Sequence, residues 1–381
     1  ASDVYKRQNN NGLIQINNDI FTEEEREYLR VNRFWVDDNE DEIALLEREI
    51  NHNIQKRQKE LELTIALTNY CNFSCVYCYQ NKNEKLMTTE VANMIIEKID
   101  RILNDNIFEG INIHYFGGEP LLNIPVLIYL DENIKKITDK IGIVYKAFLT
   151  TNGSMLSKEL LQKVKFSSIQ LTFDGLEKTH DRLRVSDHFH FKEEIELIEN
   201  IMNFSQAKVL LRTNICKENK DEIIALHKYI FEKFGNERIE INPNRTIKYH
   251  QDDSFEMLSV QEYAEVAYQI KLLWSEQKGK FELPVPRSTP CKFPYGNAYA
   301  ISPEGYCTFC SGSMDQEKKY FFDVDIENKK MFSVRKECKK CNILPLCLGG
   351  CIIQYNLRAG ACTYEKYELK NILISYIKHI S

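Results

Sequence analysis

The feature that most constrains this chain is an alternation of short strand-like apolar runs with helical periods, repeated six times between residues 63 and 242. The strand-like runs fall at 63–68, 110–116, 143–150, 168–173, 208–213 and 238–242, and helical periods fill 89–103, 124–139, 158–164, 192–204 and 221–234 between them. Such a β-α series demands a parallel sheet, because parallel neighbours need a crossover and the crossover helix packs on the sheet. No Gly-rich dinucleotide loop follows the first run. A doubly wound fold is therefore disfavoured, and the expected fold is α/β, a partial (β/α)6 TIM-like barrel followed by a small Cys-rich C-terminal domain.

The boundaries come from composition. Residues 1–62 form an N-terminal extension with a short strand at 13–16, a helix at 23–31, a strand at 33–36 and a charged helix at 40–60; the aperiodic first ten residues are excluded from the fold. The barrel occupies 63–282, including a last helix at 260–278. The Leu-Pro-Val-Pro run at 283–286 reads as a linker, and eight of the 12 cysteines follow it, in 283–381. The net charge of −6 argues against nucleic acid as a partner. No run approaches the ~20 apolar residues of a membrane span, and no signal-peptide core opens the chain. The expected location is the cytoplasm, where cysteines serve as metal ligands more often than as disulfides.

Cys71, Cys75 and Cys78, spaced C-x3-C-x2-C, lie on the loop leaving the first strand. Three thiolates hold only three irons of a cubane, so a small molecule is expected to complete the coordination; the competing reading is packed core cysteines. In parallel barrels, ligand-binding groups gather at the C-terminal ends of strands. There the chain places Gly117, Gly118, Glu119 and Pro120 after the second strand, Thr151 and Asn152 after the third, Thr172 and Asp174 at the fourth, and Arg212 and Asn214 on the fifth. Each alone reads as an ordinary turn; together they mark one site.

A second set of cysteines runs Cys338-x2-Cys341-x5-Cys347-x3-Cys351-x10-Cys362, preceded by Cys291-x13-Gly305-x4-Cys310. By itself C-x2-C also suits zinc. Cys216, after the fifth strand, reads as a lone buried thiol.

On these motifs, residues 63–243 resemble the radical SAM superfamily, and the C-terminal cysteines resemble its SPASM auxiliary-cluster domain. The resemblance implies that Cys71, Cys75 and Cys78 bind a [4Fe-4S] cluster and that Tyr77 lies near the adenine of S-adenosylmethionine. It implies that Gly117 to Pro120 receive the methionine amino group, that Arg212 meets the carboxylate, and that Thr151, Asn152, Thr172, Asp174 and Asn214 line the rest. Two auxiliary [4Fe-4S] clusters follow, an outer one on Cys338, Cys341, Cys347 and Cys362 and an inner one on Cys291, Cys310 and Cys351. Strand alternation sets Cys307 and Cys310 on opposite sides, whereas eight cysteines for two four-ligand clusters favour ligation. Cys307 is therefore expected to bind the inner cluster.

The implied chemistry is reductive cleavage of S-adenosylmethionine to a 5′-deoxyadenosyl radical, in an oxygen-sensitive oxidoreductase that modifies a precursor peptide or protein. The expected activity is ribosomal-peptide maturation by a thioether or C–C crosslink. The alternatives are anaerobic sulfatase maturation, disfavoured because Ser311 stands where those enzymes carry Asp, and a non-catalytic Fe–S or zinc scaffold. The sequence singles out no catalytic acid or base. A flavodoxin or ferredoxin is the expected reductant, with Lys336, Lys339 and Lys340 either a docking surface for it or a solvated face. The extension at 1–62 is either a partial leader-recognition segment or a helix shielding the barrel.

Overall fold

A computed structural model describes residues 22–24, 27, 41–80, 82–235, 237–248, 255–279, 281, 284–308, 310–313, 319–324, 331–351 and 362–380. The strands expected at 13–16 and 33–36 and most of the helix expected at 23–31 lie outside them. In chain order the elements begin with α1 (Glu42–Arg57), β1 (Glu60–Ala66), α2 (Thr89–Asp105), β2 (Gly110–Phe116), α3 (Ile124–Ile141), β3 (Val144–Thr150), α4 (Lys158–Lys163) and β4 (Phe166–Thr172). They continue with α5 (Glu177–Leu183), α6 (Phe191–Phe204), β5 (Lys208–Ile215), α7 (Ile223–Phe234), β6 (Ile239–Arg245) and α8 (Val260–Lys278). The C-terminal part supplies α9 (Lys292–Tyr295), β7 (Ala298–Ile301), β8 (Tyr306–Thr308), β9 (Lys319–Tyr320), α10 (Leu344–Cys347) and α11 (Glu365–Ile380). Among the described residues no helix is long and apolar enough to cross a membrane.

The helices form where capping and periodicity agree. Thr88 caps α2 by accepting from the Val91 N–H, and Ala92, Ile95, Ile99 and Ile102 make its buried stripe. Ser259 and Glu262 form a capping box at the start of α8, which Gly279 ends in the left-handed conformation.

β1 to β6 lie side by side in sequence order, all parallel, as the six β-α units require. Leu61, Leu63, Ile65, Ile111, Ile113, Leu149, Ile169, Leu171, Val209 and Leu211 point to the helix layer and form the core. The alternate set, Thr64, His114, Phe148, Gln170, Arg212 and Asn242, faces the barrel lumen by the two-residue period of a strand.

Two features depart from expectation. One is α5, a polar helix of about two turns whose only buried residues are Thr179, His180 and Leu183, too short to show a period. The other is the sheet itself, which continues past β1 on its far side: β7 pairs parallel to β1, with Glu62 opposite Ala298, and β8 and β9 follow antiparallel. The sheet thus crosses the expected boundary at 283 without a break.

The described part of the N-terminal extension, α1, packs its apolar face of Ile43, Leu46, Ile50 and Ile54 against Phe332, Val334, Leu344 and Leu348, with Cys338 and Cys341 at the margin. It cradles the outer cysteine segment. At its end Arg57 and Lys292 both pair with Glu62, at 2.9 and 2.7 Å, at the floor of the barrel.

Candidate functional site

The cysteine loop leaves β1 and is held on two sides. Toward β2, the Gly118 and Glu119 N–H groups donate to the Thr68 and Tyr70 carbonyls at 2.8 and 2.9 Å. Toward α5, the Ser74 and Val76 N–H groups donate to the Val185 and Leu183 carbonyls at 2.8 and 3.0 Å. Cys71, Cys75 and Cys78 are all partly buried on this loop. Burial raises the Cys71 thiol pKa and pushes that of Cys75 up to about 11, with the neighbouring cysteines adding to both shifts.

The two glycines after β2 have a steric reason. A Cβ on Gly117, at φ +135°, would lie 2.3 Å from the Thr68 carbonyl oxygen, and one on Gly118 would lie 2.2 Å from that of Tyr70. Only glycine lets the two loops approach this closely. Glu119 is fully buried, and its carboxylate accepts from the Leu121 N–H at 3.0 Å, the Thr151 hydroxyl at 2.6 Å and the Asn152 N–H at 2.6 Å. Burial pushes its pKa up to about 6, against those hydrogen bonds and the charge of Arg184. Its acceptors are thus turned to the loop after β3, and Glu119 acts as a clamp within the protein. Asn152 carries the clamp onward, donating to Asn72 Oδ1 at 2.8 Å beside Cys71.

At the ends of β4 and β5, the buried Asp174 carboxylate accepts from the Tyr77 hydroxyl and, at 2.6 Å, from the Asn214 N–H. Asn219 Nδ2 bridges the Asp174 and Asn214 carbonyls at 2.9 Å each. Arg212 Nε donates to Asn214 Oδ1 at 2.8 Å. The structure therefore brings Tyr77, Asp174, Arg212 and Asn214 to one place, with Tyr77 tied down at its hydroxyl.

One buried charge beside the loop has no counterpart among the motifs. Arg184, immediately after α5, is 6% exposed, lies over the Phe73 ring and has no partner at Nε among the described residues. Burial opposes its charge, but Tyr77, Cys75, Glu194 and Asp174 outweigh that and push its pKa up. It is a fixed buried cation beside a cysteine of the loop. In sequence it is one of several basic residues on a polar stretch, and nothing there marks it.

The C-terminal cysteines fall into two neighbourhoods. Cys338 and Cys341 act electrostatically on Cys347, and Cys351 acts on Cys291. Cys362 lies 3.8 Å from Lys366 Nζ, and Lys336, Lys339 and Lys340 are exposed. Cys307 is set apart from the other C-terminal cysteines. It pairs with Ile301 in the β7–β8 ladder, is 4% exposed and packs in the barrel core with Tyr299 and Phe321. Cys310 follows Thr308, which pairs with Ala300 on the other face. Cys310 itself lies beyond the end of β8 and is partly buried. Cys216 is fully buried beside Leu183 and Phe255.

Among the described residues no three His, Cys, Asp or Glu side chains converge as a mononuclear ion requires, so the fit of an iron–sulfur cluster is judged from each thiol's surroundings. Peptide N–H groups donate to the sulfurs of Cys71 (from Phe73, 3.4 Å), Cys310 (from Gly312, 3.3 Å) and Cys347 (from Gly349, 3.4 Å). Such bonds stabilise iron-bound thiolates, and metal binding itself overrides the burial that keeps the free thiols protonated. The residues present fit the group.

Residues 65–230 match the Radical SAM superfamily family model. Over 372 residues the chain is 24% identical to the radical SAM cyclopropyl synthase TigE of Paramaledivibacter caminithermalis, covering 86% of this chain and 76% of that protein. Of two other curated relatives, 34% and 31% identical over 119 and 186 residues, the chain spans 39% and 53% of the length. The fold superposes on anSMEcpe with bound AdoMet and Cp18Cys peptide at a TM-score of 0.66 and 18% identity, covering 84% of this chain and 98% of that one. It also superposes on Streptococcus suis SuiB bound to the precursor peptide SuiA at a TM-score of 0.57 and 16% identity, covering 95% and 85%. At such identities the likeness to the two solved structures establishes the fold.

Proposed function

We propose, from the match of residues 65–230 to the Radical SAM superfamily model, that this protein is a radical SAM enzyme that modifies a ribosomally made precursor peptide, installing a thioether or C–C crosslink. The observation that carries the reading is the three-cysteine loop, clamped on one side through Glu119 and Asn152 and on the other against Leu183 and Val185, with the buried charge of Arg184 beside Cys75. The likeness in fold to SuiB, solved with a precursor peptide, and the long match to TigE support a peptide substrate.

Cys71, Cys75 and Cys78 would hold one [4Fe-4S] cluster, which together with S-adenosylmethionine supplies homolytic hydrogen-atom abstraction. The chain's own residues bind and orient. Gly117 and Gly118 bring backbone carbonyls close enough to receive an ammonium group, with Pro120 starting the turn that follows. Thr151, Asn152, Thr172 and Asn214 line the pocket, and Asp174 fixes Tyr77. Arg212, which faces the lumen from β5, would meet the carboxylate, and Arg184 lies buried beside a loop cysteine. Cys291, Cys310 and Cys351 are assigned to an inner auxiliary [4Fe-4S] cluster and Cys338, Cys341, Cys347 and Cys362 to an outer one, with a flavodoxin or ferredoxin as reductant. Sulfatase maturation is the second reading, favoured by the fold of anSMEcpe and opposed by Ser311.

Anaerobic reconstitution tests the proposal. The expected result is 5′-deoxyadenosine on reduction with S-adenosylmethionine, and none after Cys71, Cys75 and Cys78 are all changed to Ala, while auxiliary iron remains. Zinc in place of iron, or cleavage that survives the triple change, would overturn it. A short Cys-rich peptide encoded beside the gene would be the substrate to try in a mass-shift assay.

A further inference from the structure

Glu194, on the first turn of α6, lies outside the barrel lumen and belongs to none of the motifs above. Its side chain is 1% exposed, and neither carboxylate oxygen has a hydrogen-bond partner among the described residues. A carboxylate buried this way costs several kcal/mol unless a cation or a polar N–H group faces it. Two side chains do. His180 Nε2 lies 3.0 Å from Glu194 Oε2, in a geometry too bent for a hydrogen bond, and Arg184 is within electrostatic reach.

Both side chains stand on the end of α5, four residues apart and so on one face of the turn. The His180 ring is 2% exposed, packed against Phe173 and Phe191 at 5.4 and 5.5 Å between centroids, and its Nδ1 accepts a long, 3.5 Å contact from the Asp174 N–H. The Arg184 N–H donates to the His180 carbonyl at 2.9 Å. The flanking carbonyls of Leu183 and Val185 are those that receive the Val76 and Ser74 N–H groups of the cysteine loop. One buried carboxylate thus faces the helix end on which the loop rests.

We propose that Glu194 is a positioning residue for the cysteine loop: through His180 and Arg184 it fixes the end of α5, and thereby sets how tightly S-adenosylmethionine is held at the loop. The inference rests on the radical SAM reading given above. It assigns Glu194 and His180 no contact with cofactor or substrate.

Calorimetry with S-adenosylmethionine on the anaerobically reconstituted protein tests it, together with the electron paramagnetic resonance spectrum of the reduced cluster. Glu194→Gln keeps the shape and removes the charge. It should weaken S-adenosylmethionine binding roughly 10- to 100-fold, the usual cost of losing an outer-shell partner, and alter the change in the spectrum on S-adenosylmethionine addition, with iron content unchanged. His180→Gln and His180→Asn divide the contact, the first reaching toward Glu194 and the second toward Asp174; both should weaken binding, and they carry the test if Glu194→Gln does not fold. A folded, iron-loaded Glu194→Gln with wild-type or tighter affinity and an unaltered spectrum would overturn the inference, as would wild-type affinity in both His180 variants. Failure of the wild-type protein itself to bind S-adenosylmethionine would instead overturn the radical SAM reading.

Discussion

The Asn51 side chain makes with Phe332 the pair of hydrogen bonds that a neighbouring strand would make: Nδ2 donates to the Phe332 carbonyl at 2.9 Å, and Oδ1 accepts from its N–H at 2.7 Å. Glu47, one turn earlier on α1, accepts from the Val334 N–H at 2.7 Å. A helix that precedes the barrel therefore completes the backbone of the segment leading into Cys338 and Cys341.

Replacing Asn51 by Ala should leave both Phe332 backbone groups without partners and cost about 2 kcal/mol. The expected signature is a lower melting temperature together with iron lost from the outer set while the cleavage of S-adenosylmethionine persists. An unchanged iron count in Asn51→Ala would mean that α1 only covers the segment.

Gly118→Ala should be severe. The new methyl would meet the Tyr70 carbonyl oxygen at 2.2 Å, and that atom is backbone in a loop fixed at both ends. Overpacking of this kind costs about 3 kcal/mol, and because Gly118 holds Thr68 and Glu119 holds Tyr70, it displaces the start of the cysteine loop. Soluble expression and iron at the first cluster should fall together, while Gly142→Ala, whose Cβ would meet nothing within 4 Å, should lose only the ~1 kcal/mol of a left-handed alanine.

Cys307→Ala and Cys310→Ala should differ in kind. The first removes a buried sulfur from the barrel core and should lower stability by about 1 kcal/mol with iron content and visible spectrum unchanged. The second should lose iron. Iron loss in Cys307→Ala would return that residue to the inner set.

Two buried groups pull the pH dependence of stability in opposite directions. Burial, with the charge of Lys292 acting the same way, lowers the His114 pKa to about 4, so between about 4 and 6.5 the unfolded chain binds the extra proton and stability rises with pH. Glu119, raised to about 6, binds its proton in the native state from about 4.5 to 6, so its contribution falls as pH rises. Each group changes the slope by at most about 1.4 kcal/mol per pH unit. Chemical denaturation between pH 5 and 6 should therefore show a shallower rise of stability with pH in His114→Asn and a steeper one in Glu119→Gln, each against the wild type.

The six barrel strands were legible because each carries its own local period, and the cysteine and glycine motifs because steric and ligand demands act at fixed short spacings. What escaped reading depends on burial and distance. Arg184, His180 and Glu194 are ordinary polar residues until the fold removes water from them, and α5 is too short to advertise its buried face. The partner of Asn51 is 281 residues away, and no pattern along α1 names it. β7 is a run of four residues whose neighbour is chosen by β1, so the expected division at 283 missed a strand shared with the barrel.

That shared strand has a consequence for how the molecule is made. β1 meets β2 across the 50 positions from Glu60 to Gly110, but its other edge stays bare until Ala298 arrives opposite Glu62, 236 positions later (298 minus 62). Pairing at such separation is slow, and an unprotected edge in the interim is a template for association between chains. During synthesis the first barrel strand, with the cysteine loop at its end, therefore waits for residue 298, and premature termination anywhere before it leaves an aggregation-prone product instead of a smaller working barrel.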